Sequence, residues 1–204
     1  MNTLPTGWKI SGASGLTAKA GTPIANIEVG ISYIKLPIEK AGSAQQFMLR
    51  GVGGGIGAGL SISTPVISVS GSLEQFPATG LGEIIKGAAP TKKNYSFEDF
   101  FGEAFVFSLG AGKQISGQLS GIIWLNEPVE RCLAELSCNR TELRQIATNA
   151  LLTALGATTP VGAAAQKTYS LLKRSKALGS FAGINLESQL IGAGVDIFNY
   201  RLST

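Results

Sequence analysis

Between Arg50 and Thr64 the chain reads RGVGGGIGAGLSIST, and read with a period of two it splits cleanly into two faces. Gly51, Gly53, Gly55, Gly57, Gly59, Ser61 and Ser63 fall on one side; Val52, Gly54, Ile56, Ala58, Leu60, Ile62 and Thr64 fall on the other. A helix would scatter these glycines around its circumference and be weakened at each one. A strand sorts them onto a single face, so the sequence predicts a strand with one bare side. Each interior glycine costs roughly 0.5–1 kcal/mol relative to alanine, and five on one face cost several kcal/mol against a whole-domain stability of about 5–15 kcal/mol. Such a face is expected where another element, a tight barrel wall or a ligand approaches closely.

The pattern recurs. From Phe105 to Leu125 a greasy face that includes Phe105, Phe107 and Leu109 alternates with a Ser/Gly/Gln face, and Gly112-Lys113 in mid-run predicts a hairpin turn. Ile67, Val69 and Leu73 alternate with Ser68, Ser70 and Ser72, and Ile27, Val29, Ile31 and Tyr33 with Asn26, Glu28, Gly30 and Ser32. In texture, though in no motif, these stretches resemble the Ser/Gly/Thr-rich hairpins of soluble pore-forming toxins, which implies strands with one lipid-compatible face.

The remaining composition narrows the chemistry. The 204 residues contain no histidine, which removes Ser-His-Asp and Cys-His catalysis and the commonest transition-metal ligand. Cys132 and Cys138 do not suffice for a structural zinc site; a short-loop disulfide and two thiols both remain open. GVGGGIGAG lacks the dinucleotide fingerprint, and GAGKQIS lacks the glycine and Ser/Thr spacing of a phosphate-binding loop. Glu98, Asp99 and Glu103 cluster beside Phe97, Phe100 and Phe101, where a carboxylate pair could do acid/base work, but Glu98 and Asp99 read instead as exposed loop charges. No catalytic, metal or cofactor residue is expected, and the protein is not expected to be an enzyme. A net charge of +4 without an aromatic-studded basic groove argues against nucleic acid. No apolar run reaches transmembrane-helix length and the N-terminus lacks a signal-peptide core, so export, if it occurs, is expected to be signal-independent.

The order of patterns predicts a single α+β domain over residues 1–204. A β block spans about 8–125, an α block about 128–178, and a terminal strand about 183–202 returns to the sheet. The architecture expected is a strongly curved antiparallel sheet or barrel of about 7–8 Gly/Ser-rich strands, followed by 2–3 helices. Within it a bulge is expected near Gly53-Gly54-Gly55, a helical turn at GEIIKG, a short turn of helix at YSFEDFF, a turn from Pro37 to Ser43, a capping box at Asn139 and Glu142, and a helix continuing to Gly179.

No acidic residue occurs between Glu142 and Glu187, while Arg144, Lys167, Lys173, Arg174 and Lys176 do. The functional expectation is a non-enzymatic membrane-active or membrane-associated β-protein, a toxin-like or secreted effector subunit. Val52, Ile56, Leu60, Phe105, Phe107 and Leu109 would face lipid, and Lys167, Lys173, Arg174 and Lys176 would contact anionic headgroups. Its partners would be membrane lipid and either further copies of itself or another protein. The alternative is a soluble binding or structural module enclosing a hydrophobic ligand or a partner segment.

Overall fold

The computed structural model describes residues 4–22, 27–58, 66–70, 82–89, 92–113, 115–128, 131–132, 140–154, 160–186 and 191–204; along parts of these strands it gives backbone and register alone. Leu60, Asn139, Cys138 and the segment 59–65 lie outside the described residues. The strands are β1 (Pro5–Ile10), β2 (Ser14–Thr22), β3 (Ile27–Lys40), β4 (Gln46–Ala58), β5 (Val66–Ser70), β6 (Glu83–Lys86), β7 (Gly102–Lys113), β8 (Ile115–Leu125), β9 (Ser175–Leu186) and β10 (Ile191–Ser203), with helices α1 (Arg140–Ala154) and α2 (Ala165–Lys173) between β8 and β9.

Every strand pairing among the described residues is antiparallel, and together they close a barrel. At any level the wall is eight strands around. Two staves are split end to end: β1 and β2 follow one another along β3, and β6 and β5 follow one another along β9. A path from Gly30 through Gly55, Phe198, Val106, Ile122, Gly179, Ile84 and Trp8 returns to β3 at Lys40, ten residues from its start. An eight-stranded barrel with that stagger tilts its strands by roughly 40–45° and has an interior just wide enough for side chains to fill.

One end of the interior is filled by rings. Trp8, Phe100 and Trp124 are buried there, with Phe100–Trp8 and Phe100–Trp124 centroids 5.7 and 5.3 Å apart in edge-to-face contact. Phe100 comes from a 3-10 turn, Phe97–Phe100, that closes this mouth like a plug. The turn starts where the sequence predicts: Asp99 Oδ2 accepts from the Ser96 backbone N–H at 2.8 Å and from its hydroxyl at 3.1 Å, and Lys92 Nζ donates to Asp99 Oδ1 at 2.8 Å. Burial alone would push the Asp99 carboxyl up, but the hydrogen bonds from Lys92 and Ser96 and the lysine charge outweigh it and hold it below its ordinary value. A carboxylate depressed in the folded state adds stability above its unfolded pKa and loses it as pH falls through the folded one. Asp99→Asn is therefore expected to lower stability at neutral pH, by less than about 1 kcal/mol because solvent screens the Lys92 pair. In urea titrations the gap to the parent protein should close as pH drops below the usual carboxylate range.

Several local expectations change. GEIIKG is strand β6, because Ile84 enters the barrel interior while Ile85 faces the helices. β3 runs on through Pro37 to Lys40, so the turn begins only at Ala41. β4 is unbroken from Gln46 to Ala58 and its register with β3 and β10 shows no bulge at Gly53–Gly55. The last helix stops at Lys173 rather than Gly179, since Ala177 and Leu178 are needed on opposite faces of β9. Two strands, not one, therefore follow the helices. β7 and β8 form the expected hairpin, with Lys113 opposite Ile115.

Candidate functional site

The bare face of β4 turns inward. A Cβ at Gly51 would lie 2.5 Å from Leu202 Cδ2; at Gly53 it would meet the Asn199 carbonyl and come within 2.9 Å of the Tyr200 ring; at Gly55 it would meet the Ile197 carbonyl and come within 2.5 Å of the Phe198 ring. The glycines thus exist because β10 lays Phe198, Tyr200 and Leu202 across them inside the barrel. The opposite face carries Val52, 67% exposed.

On β3 the two faces exchange character along the strand. On β3 the interior positions are Ile34, Leu36 and Ile38 near the plug, but Ser32 and Gly30 further along. The exterior positions of the same strand run the other way: Glu39, Lys35 and Tyr33 near the plug, then Ile31 and Val29, which are 70% and 58% exposed. On β8 the interior alone changes, with Ile122 and Trp124 inside near the plug and Ser120 inside beyond them, while Ile123 and Leu125 keep the exterior apolar beneath the helices. Interior polar groups past the exchange satisfy one another: the Tyr200 hydroxyl is 2.6 Å from Ser32 Oγ, and Ser108 Oγ lies 2.9 Å from Ser120 Oγ. Register extends both faces. Gly21, Glu28, Gly57, Asp196, Ser108 and Ser120 are paired in one row of the wall, and Ala20, Val29, Ile56, Ile197, Phe107 and Gly121 in the next. The plugged storey is apolar within; beyond it, on the β3–β4 sector, the apolar residues lie outside and Gly and Ser inside.

Helices cover one sector of this exterior. Phe105 and Phe107 are each 2% exposed and pack, with Ile123, Leu178 and Ile197, in the layer formed by Ile146, Ala150 and Leu171 of α1 and α2. Gly121 lets Leu151 of α1 approach, its Cδ1 3.3 Å from where a Cβ would stand. In the folded chain these two phenylalanines are therefore covered by protein. Leu109 and Ile56 are placed by backbone register alone, opposite Val195 and Ile197 of β10, and among the described residues the β3–β4 sector around Val52 is open.

The expected basic contacts are dispersed. Lys167 Nζ pairs with Glu142 at 2.8 Å, and Arg174 with Glu127 at 3.4 Å. Lys176 lies on β9, half-buried, donating to the Phe101 carbonyl at 2.7 Å; burial pulls its pKa down against the opposing charge of Asp99. Only Lys173 of the four stands exposed on α2. Cys132 is a buried free thiol whose pKa burial raises. Among the described residues no cluster of metal-ligating side chains occurs and no helix is long and apolar enough to cross a membrane. No family model, curated protein or solved structure matches the chain. The fold defines the class reached from geometry: a closed, eight-stave antiparallel β-barrel, with Val29, Ile31 and Val52 exposed on its β3–β4 sector.

Proposed function

We propose that the protein is a non-enzymatic, membrane-associated β-barrel that seats the open β3–β4 sector, with exposed Val29, Ile31 and Val52, in lipid while the plugged storey and the helix-covered sector stay in water. The observation that carries this reading is the exposure of Val29, Ile31 and Val52 on strands whose interior positions at the same level are Gly and Ser. In a membrane barrel the apolar face points out and the small polar face points in. From Arg201 to Ile191, β10 advances ten residues. At about 3.3 Å per residue and that tilt the height is roughly 24 Å, close to the apolar band of barrel proteins. The β3–β4 and β7–β8 hairpins supply the amphipathic strands, as a toxin-like or secreted effector subunit would use them. Enclosure of an apolar ligand finds less support, because rings fill one storey and Ser and Gly line the other.

Flotation and dye release test the reading. With vesicles at micromolar protein, the protein is expected to float with lipid and to release trapped dye. Absence of both, with anionic lipid and mild acid each tried, would contradict it.

A further inference from the structure

The exchange of faces occurs at a particular level of the wall, and that level carries charge. Lys35 of β3 stands directly opposite Arg50 of β4 on the exterior, and both are exposed. Arg201 of β10, also exposed, is paired with Val52, which places it diagonally from Arg50, about 7–8 Å away in an antiparallel sheet. Tyr33 lies beside them, opposite Val52, with Lys35 Nζ 5.8 Å from its ring centroid. Glu103 of β7 faces Arg201 across the next ladder, so three cations meet one carboxylate. Above this level on β3 and β4 come Ile31, Val29 and Gly54; below it come the paired Pro37 and Met48, the latter 40% exposed, and then Glu39, Gln46 and the Lys9–Glu39 ion pair at 2.6 Å.

Two like charges directly opposite on a sheet are unfavourable in water. Nothing in the barrel's packing requires them, since both are outside it. Bringing an anion to the pair removes the repulsion. Basic residues next to an amphipathic aromatic, at the edge of an apolar belt, are what a bilayer interface selects.

We propose that Lys35 and Arg50, with Tyr33 and Arg201 at their flank, form a headgroup girdle that recognises the phosphate of anionic phospholipid and sets the depth to which the barrel sinks. The inference rests on the membrane reading above and replaces the helix and β9 cations as the basic contact. The girdle holds the apolar residues Ile31, Val29 and Val52 on the lipid side and the Lys9–Glu39 pair on the water side.

The test is cosedimentation of the full chain with vesicles of phosphatidylcholine alone and with about a third phosphatidylglycerol. The parent protein should partition more strongly into the anionic vesicles. Each cation near an anionic surface contributes roughly fivefold, so the double variant Lys35→Gln, Arg50→Gln should lose about twenty-five-fold of anionic binding. Its binding to phosphatidylcholine should be unchanged. Lys173→Gln, on α2, should behave as the parent. The double variant should unfold at no lower urea concentration than the parent, because a like-charge pair has gone. If it keeps the full anionic preference, the girdle is overturned while phosphatidylcholine binding leaves the membrane reading standing. If the parent sediments with neither vesicle, the membrane reading falls and takes the girdle with it.

Discussion

Replacing Gly53 or Gly55 by alanine should cost about 3 kcal/mol or more each, whereas Gly54→Ala should be neutral or stabilise by up to about 1 kcal/mol. The three residues are consecutive and chemically identical, so propensity does not separate them. Position does. A methyl at Gly53 drives into the Asn199 carbonyl and the Tyr200 ring, and one at Gly55 into the Ile197 carbonyl and the Phe198 ring. These obstacles are backbone and buried rings, which have nowhere to go in a closed wall. A methyl at Gly54 points outward and has only the Gly30 carbonyl near it, at 4.0 Å. Urea unfolding followed by fluorescence of the buried Trp8 and Trp124 measures all three. Equal effects at the three positions would mean that the bare face is not what the barrel is built around.

The second large effect is expected at the plug. Phe100 is fully buried and touches Trp8, Tyr95 and Trp124 with ring centroids 5.7, 5.8 and 5.3 Å apart. Phe100→Ala removes the ring that joins the 3-10 turn to the barrel floor and should cost about 3–5 kcal/mol. Phe100→Leu refills most of the volume and should recover more than half of that loss. The loosened plug should also let a quencher such as acrylamide reach Trp124, which is otherwise 0% exposed. An alanine variant as stable as the parent would show that the rings do not hold the mouth shut.

The sequence was most legible where periodicity was strict. β4 and the β7–β8 hairpin follow from alternation alone, and the barrel follows from several such strands with few long connections. The short turn at YSFEDFF was readable because it is local, but Asp99, read as an exposed loop charge, caps that turn and pairs with Lys92. What the pattern did not reveal was which face goes in. Alternation distinguishes two faces but not inside from outside, and on β3 the answer changes along one strand: Ile34 is interior and Ile31 exterior. Parity separates them, but only after closure of the barrel fixes the inner side. The same limit applies to Phe105 and Phe107, whose face is exterior yet covered by α1 and α2. The run LLKRSKALG reads as a helix continuing because Leu and Lys favour helix, whereas tertiary pairing of β9 with β8 takes over from Ser175. The girdle was missed because Lys35, Arg50 and Arg201 are far apart in sequence and become neighbours only through the β3–β4–β10 register.

An environment-sensitive fluorophore, placed singly at exterior positions of β3 with Cys132 and Cys138 replaced by alanine, tests the two-storey barrel most directly. In the presence of anionic vesicles, labels at Val29 and Ile31 should shift to the blue and be quenched by lipid-borne quenchers, while labels at Lys35 and Glu39 should stay in water. The step should fall at Tyr33. A uniform response along the strand, wet or dry throughout, would contradict the inversion of faces on which the account depends.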